Sequence, residues 1–205
     1  MARQRPWLPV GVAVVAAAAV VLLALTWPDA DSGEGEETST ESTVDPDLPV
    51  AIDSPETGDP ADLASLVAAS DLVVVATVDE VARGRPVDPT GTASEESALV
   101  TLRVEEVLAG EDPGTTVVVE EEGWLGDGRR IAMDGASPTE AGDRAIWFLV
   151  DVGEPDAEWL TVGRVGRWVE RGGVLSGPLL DIPLAIDIQD RPLDDVVADI
   201  RALGP

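Results

Sequence analysis

Leu72-Val-Val-Val-Ala-Thr-Val78 is the stretch on which the fold turns. It is β-branched and apolar on both faces, and it is bounded by polar residues on either side. Stiff, branched side chains disfavour a helix and suit a pleated strand, so the segment is expected to be a strand. Downstream, Val100, Leu102 and Val104 alternate with Thr101, Arg103 and Glu105, the period-two pattern of a half-buried strand. The phase breaks at Glu105-Glu106 before Val107-Leu108, which predicts a bulge or the strand's end. Ala109 to Gly114 turns the chain, and Thr115-Thr-Val-Val-Val-Glu120 returns as the second arm of a hairpin. Residues 84–96 read as a polar loop, and 124–142 is loop-like. Arg144-Ala-Ile-Trp-Phe-Leu-Val150 follows as a central strand, then shorter strand signals at 158–162, 167–169 and, after Arg171-Gly172-Gly173, at 174–175.

Helical signals lie at the two ends of this region. Asp59 is expected to cap a helix with Pro60 in its first turn and Leu63, Leu66 and Val67 as its apolar stripe, ending near Ser70. Leu193, Val196, Val197, Ile200 and Leu203 define the last helix, with Pro192 before it and Gly204 after it. Short strands without alternating crossover helices predict a mainly β domain over 59–205. The expected form is a small antiparallel barrel or sandwich of about six or seven strands with short flanking helices.

The segments Ser70–Val78, Val100–Gly110 and Thr116–Val119 resemble the opening strands of the OB-type barrel in netrin-like and metalloproteinase-inhibitor domains. They are similar also to a pattern seen in secreted actinobacterial proteins. The resemblance implies a closed barrel. It does not carry the inhibitory mechanism, which uses an N-terminal cysteine and disulfides, because this chain has no cysteine.

Ahead of the domain, Trp7 to Trp27 is an uncharged apolar run. At about 1.5 Å per helical residue it spans about 31 Å, the thickness of a hydrocarbon core. Arg3 and Arg5 precede it and acids follow, so a transmembrane helix at 7–27 is expected with residues 1–6 in the cytoplasm and the rest outside. A cleaved signal peptide is the competing reading. The run is long for one, and the Trp pair at its ends suits two membrane interfaces. Residues 28–58 are nearly all Asp, Glu, Ser, Thr, Gly and Pro, a composition expected to remain a disordered acidic tether.

The net charge of −27 repels phosphates, so nucleic acid is excluded as an expected partner. The expected partners are the membrane, through 7–27, and an extracytoplasmic protein or a cationic ligand. With no His and no Cys, the usual nucleophile and base pairs and the soft metal sites have no residues to build them, and no cofactor is expected.

Two groups are candidate sites. Trp124, in Gly-Trp-Leu-Gly, with the basic pair Arg129-Arg130, is a candidate binding patch, since an indole offers area and a donor at small entropy cost. Glu120 and Glu122 are candidate oxygen ligands for a divalent ion, although the spacing of a calcium loop is missing. The functional expectation is a membrane-anchored binding module, with a carboxylate-based or metal-assisted hydrolase and a structural envelope protein as alternatives.

Overall fold

The computed structural model describes residues 49–52, 58–87, 95–152 and 159–204. In chain order its elements are β1 (Val50–Ile52), α1 (Leu63–Ala68), β2 (Leu72–Pro86), β3 (Glu96–Gly110), β4 (Thr116–Trp124) and β5 (Ile131–Met133). There follow β6 (Arg144–Asp151), β7 (Trp159–Thr161), a 3-10 turn at Gly163–Val165, β8 (Arg167–Arg171), β9 (Val174–Ser176), α2 (Pro183–Ile188) and α3 (Leu193–Leu203).

Five strands close a barrel in the order β2-β3-β4-β7-β6, with β6 pairing back onto β2 from Leu72↔Leu149 to Thr77↔Arg144. The mainly β, closed architecture agrees with the sequence expectation. The antiparallel expectation is corrected at one seam, because β4 and β7 run parallel through Val119↔Trp159 and Glu120↔Leu160. β8 continues the sheet from β6, and β9 pairs with β8. The phase break read at Glu105-Glu106 is a bulge: Val75 pairs with Glu106 and Ala76 with Val104, leaving Glu105 as the extra residue. Such an insertion raises local twist and helps a long strand curl around a small barrel.

The two-faced apolar character of β2 now has a cause. Leu72, Val74, Ala76 and Val78 point into the barrel among Val100, Leu102, Val119, Trp147 and Leu149. Val73 and Val75 face the other way, with Ile146 and Phe148, beneath a layer formed by α1, α2 and α3. Fully buried Leu66 and Ile200 join that layer, and burial of each such side chain contributes about 1.5–3 kcal/mol.

The helix ends differ from expectation in instructive ways. Asp62, not Asp59, caps α1, accepting from the Ser65 backbone N–H at 2.7 Å. Asp59 is engaged elsewhere, by Arg164. α3 buries Leu193, Val196, Val197 and Ile200 as expected, while Leu203, at the end of the stripe, is 47% exposed. α2 has no counterpart in the sequence reading, because six residues are too few to display a helical period.

Two expected loops and part of the expected tether hold strand. β2 runs on to Pro86 and β3 starts at Glu96, so the loop expected at 84–96 is shortened from both sides. β5 lies within 124–142. Residues 50–52, inside the stretch expected to be a disordered tether, form β1 and pair in parallel with β5. The rest of the expected tether, apart from 49 and 58, and the expected membrane helix at 7–27 lie outside the described residues. Among the described residues no helix is long and apolar enough to cross a membrane.

Candidate functional site

The second half of β4 reads Glu120-Glu121-Glu122-Gly123-Trp124. Alternation carries Glu121 onto the face of Val117 and Val119, at the mouth of the barrel, and puts Glu120 and Glu122 on the other face. Cross-strand, Glu122 is opposite Ser97. Gly123 permits this approach: a Cβ there would stand 2.6 Å from the Glu96 carbonyl oxygen and 2.6 Å from the Ser97 carbonyl carbon.

These three glutamates line a cavity of about 770 Å³. Ile131, Met133, Pro138 and Leu160 supply its apolar lining, and Arg85, Arg164 and Arg167 its basic groups. Ile131 and Met133 come from β5. Beyond that strand, Asp134 adopts φ +49 and Gly135 φ +77, a left-handed reversal ahead of Ala136 to Pro138 on the cavity.

Each carboxylate has a different environment. Glu120 is 8% exposed and takes a two-pronged contact from Arg85, Nε to Oε1 and Nη2 to Oε2, both at 2.9 Å. Burial alone would raise its carboxyl, but the hydrogen bonds from Arg85 and Ser97 outweigh that and hold it below the usual range. Glu121 accepts from the Thr139 hydroxyl, and Arg167 Nε lies 3.9 Å from its other oxygen. Arg167 donates in addition to Thr139 Oγ1 and, at 2.7 Å, to the Ser137 carbonyl, and it stands 5.9 Å from the centre of the buried Trp147 ring.

Glu122 has no hydrogen bond or ion pair to another side chain among the described residues. It is accessible to solvent, yet it opens on a concavity rather than on a convex surface. The surrounding protein, displacing water, pushes its carboxyl upward, opposed by its own backbone N–H and by Arg167, while the charges of Glu121 and Asp134 add to the rise.

Arg164 is clasped by two carboxylates: its Nη2 is 2.5 Å from Asp59 Oδ2 and its Nη1 3.5 Å from Asp134 Oδ1. Hydrogen bonding to Asp59 is the main reason its guanidinium is held above the ordinary value. The residue expected to cap α1 therefore ties the start of the domain to the cavity wall.

Trp124 and Arg130 come together, and Arg129 does not join them. A tight turn, closed by Leu125 N–H to the Arg129 carbonyl at 2.9 Å, brings Arg130 back across from Trp124. The Arg130 guanidinium lies 4.5 Å from the indole centre and that of Arg83 at 5.1 Å, so the indole is a half-buried platform for two cations. Burial presses the Arg130 guanidinium below its ordinary value, opposed by Glu121. Arg129 instead folds onto Asp127 at 2.8 Å. None of these three lines the cavity, whereas Glu120 and Glu122 both do. Among the described residues no three acidic side chains are arranged to hold a metal ion.

Sequence reasoning missed Arg85, Glu121, Thr139, Arg164 and Arg167. Arg85 reaches Glu120 across 35 positions, and no local pattern encodes such a pairing. A usable signal was the scarcity of bases: with 13 Arg and no Lys against 40 acids, each Arg of the domain is a marker for a carboxylate that needs a partner. Comparison with known proteins adds no assignment, since neither a protein-family model nor a curated protein sequence matches this chain.

Proposed function

We propose that this chain is a membrane-anchored extracytoplasmic binding module whose barrel-mouth cavity holds a small molecule. The cavity carries the proposal. Its volume of about 770 Å³ falls in the range of small-molecule sites, and it combines an apolar surface with a few fixed polar groups, the composition such sites use to bind and to orient. The strand order β2-β3-β4-β7-β6, with its parallel β4–β7 seam, supports the resemblance to OB-type barrels. The apolar run at 7–27 and the acid-rich stretch after it support presentation of the domain outside the cell, on a tether from one helix.

The test is ligand-observed NMR with a fragment library on the full chain in lipid nanodiscs, set against Ser137→Trp, which places an indole in the cavity. Fragments that bind the parent and are lost from the variant are the expected result. Absence of binders, or binders indifferent to the substitution, would refute the cavity as the site. Intact mass of native material checks the anchor: a mature chain beginning near Asp29 or Asp31 would replace the membrane helix by a removed signal peptide.

A further inference from the structure

We propose that the cavity selects an organic cation, a protonated amine on a compact apolar body, with Glu122 as its counter-ion. This deepens the binding-module reading and rests on it. The cavity's charges, taken pair by pair, leave one remainder. Arg85 is spent on Glu120 at 2.9 Å, Arg167 on Glu121 and Thr139, and Arg164 on Asp59 and Asp134. Among the described residues, Glu122 is the cavity carboxylate that makes no ion pair, with only the more distant charge of Arg167 acting on it.

An anionic ligand would compete with a glutamate or an aspartate at each of those arginines and would meet Glu122 as well. A neutral ligand would leave Glu122 uncompensated in a concavity that already raises its carboxyl. An ammonium group removes that cost, and a charge-assisted hydrogen bond of this kind contributes more than a neutral one. Ile131, Met133, Pro138 and Leu160 offer the body of such a ligand an aliphatic surface, and among the described residues no aromatic ring lines the cavity. Selection therefore falls to the carboxylate rather than to an aromatic cage. The net charge of −27 draws cations toward the molecule and lowers the local concentration of anions.

Three probes with one ring and different charge test this: cyclohexylmethylammonium, cyclohexylmethanol and cyclohexanecarboxylate. They are titrated calorimetrically at pH 8 into the full chain in nanodiscs, with empty nanodiscs as blank. The ammonium is expected to bind about 10-fold or more tightly than the other two. Glu122→Gln should remove that preference, weakening the ammonium while the alcohol binds as well as before or more tightly, since the uncompensated charge is gone. Glu122→Asp, with the charge kept and drawn back, should retain part of it, and it serves as the reporter if the Gln variant does not fold. Equal or tighter binding of the alcohol or the carboxylate, or a preference that survives Glu122→Gln, would overturn the cation assignment while leaving the cavity a ligand site. Failure of all three probes to bind the parent above the blank would overturn the cation assignment, and the binding-module reading falls with it only if the fragment library also yields no binders.

Discussion

Replacing Val74 and Val75 by alanine, one at a time, tests the double-sided burial on which the architecture depends. The two residues are neighbours on β2 with 0% and 1% exposure, yet they belong to different clusters, Val74 inside the barrel and Val75 beneath the helices. Each substitution removes two methyl groups, a transfer loss of about 1.6 kcal/mol, and incomplete collapse of the site brings the cost to about 2–3 kcal/mol. With an unfolding entropy of about 2 cal/mol/K per residue over roughly 145 residues, the melting temperature should fall by about 7–10 °C in both variants. The assay is thermal unfolding followed by tryptophan fluorescence, since Trp147 lies in the barrel and Trp168 in the helical layer. Ile186→Ala, at a side chain 64% exposed on α2, is the control and should change stability by less than about 0.5 kcal/mol. If Val75→Ala behaves like the control while Val74→Ala keeps its cost, the outer face of β2 is not covered and the helical layer is misplaced.

Two further predictions concern the site. In the free protein, Glu122→Gln should stabilise at pH 7–8 and not at pH 3–4. A carboxyl whose folded-state affinity for a proton is raised costs stability only as pH climbs from the ordinary glutamate range through the raised value, and below that range both states are protonated. Melting curves of the two proteins across pH decide it, and a gain already present at pH 3 would contradict the burial argument. Gly123→Ala should destabilise by about 1–3 kcal/mol, because the added Cβ meets the β3 backbone at 2.6 Å and no side-chain rotation relieves it. A melting temperature unchanged within 1–2 °C would mean that the β3–β4 pairing at the cavity is looser than described.

Strand identity was legible where local chemistry speaks for itself. Leu72 to Val78 announced a strand by β-branching, the Glu105-Glu106 phase break announced a bulge or a strand end, and Leu193, Val196, Val197 and Ile200 announced a helix face. The site was legible only as ingredients. Glu120 and Glu122 could be picked out as neighbouring acids, but nothing in their local sequence says that one is neutralised by Arg85 and the other is not.

The sequence by itself determined the period of each long element, the turn chemistry between the strands and the acidic surplus that bears on partners. These are properties of side chains within a few positions of one another, and 3.6- and 2-residue periods express them directly. Tertiary structure decided the rest. β4 meets β7 in parallel, α2 forms although it is only six residues long, and Asp59 leaves its expected cap to hold Arg164 because that guanidinium is brought to it across 105 positions. Contacts at such separation depend on how the barrel closes, a property of the whole chain, so the cavity and the carboxylates that line it come together only once the strands have met.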